Sequence, residues 1–107
     1  MSLSTPTFYV LAALAEGELH GYAIIKEVAD LTQGDVELLP GTLYRIIKQL
    51  VLDEWIAEVP AASDDDPRRS AYYRLTARGR RAAEAEARRL EGLVRLARMR
   101  RFLPARS

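Results

Sequence analysis

Cysteine is absent from this 107-residue chain, which excludes disulfides, thiolate nucleophiles and Cys-ligated zinc or iron–sulfur centres and fits a reducing cytosol. Histidine occurs once, at His20. It has no second histidine or cysteine with which to share a metal. It also opens an "HGY" turn, where a ring nitrogen can bond to a backbone group, and it reads as structural. No segment reaches the roughly 18 apolar residues that a membrane span requires, and the first residues lack the basic stretch, apolar run and cleavage site of a secretory signal. A soluble cytoplasmic protein is expected. No Gly-rich phosphate loop, nucleophile elbow or paired-acid cleft is visible, and "DDDP" lacks the glycine and distal glutamate of a calcium loop. Neither an enzyme nor a metal or cofactor protein is expected.

Positive charge is scarce in one half. Residues 1–60 hold Lys26, Arg45 and Lys48 against nine acids, a net of −6, and the remainder carries +7. An overall +1 and a pI near 8.1 fall short of the pI above about 9 expected of a strongly basic nucleic-acid binder. Composition alone does not suggest DNA. The length fits one domain with a modest core, so a sizeable site lies on the surface or between subunits.

Thr5 followed by Pro6 reads as an N-cap with proline at the first helical position, and "TFYVLAALAEG" runs apolar nearly all round to Gly17. A helix without a polar face is buried on several sides. "HGYAIIKEVADLT" repeats apolar residues at Tyr22, Ile25 and Val28 or Ala29, a second helix ended by "QGD". "LLPGTLYRIIKQL" gives a third, Gly41 to about Asp53, with Leu43, Ile46, Ile47 and Leu50 on one face. The period then changes: Trp55–Val59 and Ala71–Leu75 read as antiparallel strands around the polar turn "SDDDPRR". From Thr76, an N-cap, to about Phe102 the chain returns to helix.

Three helices followed by a hairpin is the order of a winged helix-turn-helix: mainly α with a small β-hairpin. In that architecture the other face of the third helix is free for a major groove. Arg45 and Lys48 can reach phosphates or guanine edges, Gln49 can pair with adenine, and Thr42 and Tyr44 can bond to the DNA backbone. Periodicity leaves two readings open, since every amphipathic helix has a polar face and these units also bind proteins.

In the last helix Ala83, Ala87, Leu90, Val94 and Ala97 are spaced four, three, four, three, the alternation of a coiled-coil seam, widened by Leu93 and Leu96. Residues 77–102 would make a rod of about 39 Å, longer than the domain can cover. A homodimer is expected, with Leu90, Leu93, Val94 and Ala97 packing on the first or last helix of the other copy and Phe8 and Leu11 as partners. Gly92, costing about 1 kcal/mol mid-helix, is most easily rationalised where two backbones cross.

"HGYAIIKEV", "PGTLYRIIKQL" and "AYYRLTARGRR", in that order, resemble the PadR family of bacterial transcriptional regulators over Thr5 to about Arg81. The single closing helix is similar to the family's short branch. The resemblance implies a DNA-binding unit at 1–76 and a dimerisation helix at 77–107, within one compact unit. It implies binding to double-stranded DNA at a palindromic operator, repression, and a small aromatic or cationic effector. Thr42, Tyr44, Arg45 and Lys48 take the DNA-reading role, with Gly41 opening the helix so that its free amides face a phosphate. The wing contributes Arg68 and Arg69, although Asp64, Asp65 and Asp66 beside them would repel phosphates. An interaction module that binds protein and no DNA is the alternative, kept by the acidic first half. One departure from the family's pattern is "DEWI", with Glu54 where glycine usually leaves the helix in a left-handed conformation; it implies a different exit and an altered hairpin tilt. Trp55 beside it reads as a core residue at the junction.

Overall fold

Ser4, not Thr5, starts the first helix: its hydroxyl accepts a hydrogen bond from the Thr7 amide at 3.3 Å, and Pro6 falls in the first turn. The computed structural model describes residues 3–60 and 71–105. In chain order it contains α1 (Thr5–Ala13), β1 (Leu19–His20), α2 (Gly21–Leu31), α3 (Pro40–Leu52), β2 (Ile56–Pro60), β3 (Ala71–Leu75) and α4 (Ala77–Met99). The fold is mainly helical with a small antiparallel sheet, in agreement with the patterning. α1 packs against both α2 and α4, which accounts for its lack of a polar face.

His20 caps α2, its Nδ1 accepting from the Ala23 amide at 3.2 Å, and its ring stands edge-on to Tyr72 with centroids 5.5 Å apart. The buried face of α2 is Gly21, Ile24 and Val28. Tyr22, expected on that face, is 73% exposed. Close packing of α3 sets the difference: a Cβ on Gly21 would lie 2.3 Å from the Tyr44 hydroxyl, so this position approaches α3 and Tyr22 turns outward. α3 buries Leu43, Ile47 and Leu50, with Ile46 half-buried beside them.

The exit of α3 corrects the expectation of an altered path. Glu54 adopts φ +62°, the left-handed conformation that favours glycine. The Glu54 amide donates to the Val51 carbonyl at 3.1 Å and the Trp55 amide to the Leu50 carbonyl at 3.0 Å, a Schellman turn. The conformation costs about 1 kcal/mol and is held from outside. The Thr76 hydroxyl donates to the Glu54 carbonyl at 2.7 Å, and the Thr76 amide to the Trp55 carbonyl at 3.1 Å. Trp55 belongs to this turn, so β2 starts at Ile56; Trp55 is half-buried and packs against the core, as expected.

The hairpin pairs Ile56 with Leu75 through to Pro60 with Ala71. β3 is central, because β1 adds on its other edge with Leu19 opposite Tyr73 and His20 opposite Tyr72. This two-residue strand is too short to show a period of two. The Asp64–Asp66 run and the wing arginines Arg68 and Arg69 lie outside the described residues.

α4 is tied to the body along its first half. The Thr76 hydroxyl accepts from the Gly79 amide at 3.0 Å, and the helix passes so close to the α3 exit that a Cβ on Gly79 would lie 2.0 Å from the Trp55 carbonyl oxygen. The Arg80 guanidinium donates to the Ala15 carbonyl at 3.1 Å. Glu86, buried, accepts from the Leu3 amide at 3.3 Å and from Arg89 at 2.9 and 2.6 Å. The Arg89 hydrogen bonds hold its carboxyl below the usual range, burial opposing and the Leu3 amide assisting. The helix ends at Met99, earlier than expected, because Arg101 turns left-handed at φ +64° and Phe102 donates back to the Ala97 carbonyl at 2.8 Å. Beyond Leu90 the side chains of Leu93, Val94, Leu96 and Met99 stand exposed, and the molecule extends to 53 × 28 × 24 Å.

Candidate nucleic-acid interface

With its core face turned inward, α3 presents Gly41, Arg45, Lys48 and Leu52 at steps of four, three and four, one outer ridge. All four are exposed. Arg45 and Lys48 are the only charges between Pro40 and Leu52, so the ridge is cationic within an otherwise acidic half. The helix starts at Leu39 and Pro40 with no side-chain cap, leaving its first amides free to meet an anion.

The other expected DNA-facing residues flank this ridge. Thr42 is half-buried on the side facing α1, and Gln49 donates to the Asp53 carboxylate at 3.1 Å, an interaction that adenine recognition through the same amide would break. Tyr44, half-exposed, leans over Gly21 and lines a groove toward the sheet with Lys48, Glu58 and Tyr73. Burial, then Glu58 and Tyr44, push the Tyr73 hydroxyl above its usual range. Tyr44 is therefore partly a packing residue.

Sequence reasoning misses Leu52, 68% exposed at the ridge's end. A signal for it exists: an apolar residue four beyond Lys48 and off the core face, suited to a thymine methyl. Also missed is a cleft between the start of α1 and α3, about 630 Å³, whose lining includes Pro6, Thr42, Arg45, Ile46, Gln49 and Trp55. No linear motif encodes it, because its walls meet only in the fold.

The expected association residues divide. Leu93 and Val94 are exposed, and Phe8, Leu90 and Ala97 are half-buried. Leu11 is 0% exposed within its own core, so it has no surface to offer a second copy and leaves the set. Of the remaining seam, Ala83 packs on the chain's own core and Ala87 is exposed. At about 100° per residue Gly92 lies roughly opposite Leu90 and Val94, so a crossing on that seam does not account for it.

Among the described residues no helix is long and apolar enough to cross a membrane, and no three His, Asp or Glu residues gather as metal ligands. A model of the transcriptional regulator PadR-like family matches residues 10–85. No curated protein matches the sequence. Among solved structures, a PadR family transcription regulator from Clostridium difficile R20291 is similar at TM-score 0.77 and 20% identity, over 90% of this chain and 97% of that one. Bacillus subtilis PadR in complex with operator DNA matches at 0.66 and 20% identity, over 76% and 45%. Bordetella bronchiseptica BpsR, whose DNA binding is regulated by 6-hydroxynicotinic acid, matches at 0.67 and 23% identity, over 88% and 64%.

Proposed function

Because the chain belongs to the PadR-like family of transcriptional regulators, we propose that it is a cytoplasmic, sequence-specific operator-binding repressor, with residues 1–76 reading DNA and α4, within 77–107, joining two copies. The observation that carries this reading is the α3 ridge, cationic and exposed where the rest of residues 1–60 is acidic. Arg45 reads a base edge, Lys48 a phosphate, and the uncapped amides at Gly41 and Thr42 a second phosphate. Pairing through Leu90, Leu93, Val94 and Ala97, with Phe8 contributing, sets two ridges on half-sites about 10 to 10.5 base pairs apart, as a palindrome requires. A small aromatic or cationic effector modulates binding; regulation of BpsR by 6-hydroxynicotinic acid is a precedent in a similar fold.

The test is binding to an operator selected from random duplexes. Lys48→Ala should weaken specific and random DNA alike and lower the salt slope by about one per subunit. Arg45→Ala should lose about 1–3 kcal/mol per half-site, mainly against the selected operator. Unchanged affinity in both variants would overturn the assignment and favour a protein-binding module, the second reading that the nine acids of residues 1–60 support.

A further inference from the structure

From Gly92 to Ala105 the sequence has four arginines, Arg95, Arg98, Arg100 and Arg101, and no acid. Interleaved with them are Leu96, Met99, Phe102 and Leu103, all exposed, Met99 at 72% and Phe102 at 81%. These apolar residues are not the seam proposed for a second copy. At about 100° per residue Met99 lies opposite Leu90, and Phe102 and Leu103 follow the left-handed turn at Arg101 that ends the helix. The Phe102 amide fixes that turn by donating to the Ala97 carbonyl at 2.8 Å, so the tip is preformed.

Between the end of α4 and the segment after it lies a cleft of about 730 Å³, whose lining includes Arg98, Met99, Arg101, Phe102 and Leu103. Among the described residues the ion pairs are Glu86–Arg89 and Glu91–Arg95, and Arg98, Arg100 and Arg101 enter neither. Arg98 Nε is shielded from solvent and makes no hydrogen bond, which leaves its guanidinium short of an acceptor. Two demands therefore meet at one place: guanidinium groups that need an oxyanion and apolar side chains that need a dry surface. Duplex DNA meets the first alone, because a phosphate backbone leaves Met99 and Phe102 in water. A second copy of the same tip brings like charge. An anionic phospholipid layer supplies both, with phosphates at its surface and hydrocarbon just beneath.

We propose that the tip of α4, from Leu96 to Leu103, is a peripheral membrane contact: Arg98, Arg100 and Arg101 pair with headgroup phosphates while Met99, Phe102 and Leu103 enter the acyl boundary. One such tip is a weak anchor. In the proposed dimer two tips act together and tighten the attachment. The inference does not depend on the reading of α3 as the DNA-contacting helix.

The test is flotation of the full-length protein with large unilamellar vesicles, of phosphatidylcholine alone and of phosphatidylcholine with an equal part of phosphatidylglycerol. Partitioning about tenfold or more in favour of the anionic vesicles is expected at low salt, falling as salt is raised. Arg98→Gln with Arg101→Gln should lower that binding by about tenfold and flatten its salt dependence, while sedimentation velocity and far-ultraviolet circular dichroism stay as in wild type. Phe102→Ser should lower binding severalfold at every salt concentration with the salt dependence unchanged, since it removes insertion and no charge. Absence of binding, or equal binding to both vesicles, overturns the proposal. So does unaltered binding of Phe102→Ser, which would leave an electrostatic contact only. Binding of poly-glutamate or of a random duplex that equals that of the anionic vesicles and is lost in both variants assigns the tip to a protein or a nucleic acid, and overturns it as well.

Discussion

The two halves of α4 share one helix and behave as different materials. From Ala77 to Arg89 the helix is fastened to its own chain by the Thr76 cap, the Arg80 bond to Ala15 and the Glu86 carboxylate that holds Leu3, and both of its buried residues, Gly79 and Glu86, lie there. From Leu90, itself half-buried, the apolar stripe continues, but α1, nine residues long, no longer runs beside it, and Leu93, Val94, Leu96 and Met99 stand exposed. Periodicity alone makes the halves look alike. What separates them is the length of the neighbouring element, so the proximal half serves stability and the distal half is free for association.

The largest effect should come from placing charge on the distal stripe. Leu90→Asp with Val94→Asp would bury unpaired carboxylates in the proposed association of two copies, costing about 3–5 kcal/mol, a hundredfold or more in the association constant. Sedimentation velocity at micromolar concentration should show a dimer become a monomer with its melting transition intact. A wild-type monomer would remove association from the distal half.

Second in size is Gly79→Ala. Alanine usually favours a helix by about 1 kcal/mol over glycine, but here the added carbon meets the Trp55 carbonyl at 2.0 Å, a backbone atom with little freedom. With overpacking costing up to about 3 kcal/mol, a net loss of up to about 2 kcal/mol in urea unfolding is expected. Gly92→Ala should do the opposite, because nothing lies within 4 Å of its added carbon. A gain of about 1 kcal/mol is expected with association unchanged; weakened association would mean that a second backbone approaches this face. The smallest effect is the acid dependence of Glu86. Its lowered carboxyl contributes stability that is present at neutral pH, above the ordinary carboxylate range, and lost as pH falls through its folded value. Unfolding of Glu86→Gln at stepped pH should run below wild type at neutrality and converge with it in acid.

Elements with a strong period were legible in the sequence. The core face of α3 reads directly from Leu43, Ile47 and Leu50, and β3 from Ala71–Leu75, because burial repeats at the period of the element. Features set by a single close approach were not. The outward turn of Tyr22, the Gly79 contact and the burial of Glu86 each depend on an atom distant in sequence. Glu54 shows the limit of local rules: propensity argues against a left-handed exit, and hydrogen bonds from Thr76, 22 residues on, hold it nonetheless. At the candidate interface the exposed ridge was visible as a polar face, whereas the engagement of Thr42 on the side of α1 and of Tyr44 over Gly21 required knowing which elements flank α3.

The joint at Thr76 also has a mechanical meaning. One hydroxyl ends α3 and begins α4, so the two helices are members of a single bracket, and α4 is a lever arm of 23 residues, about 34 Å. Rotation by about 6° at the bracket would carry the far end of that arm through about 3.4 Å, the rise of one base step. A tolerance of a few degrees at one threonine is then the tolerance with which two such molecules, joined at their arms, could gauge a distance along a duplex.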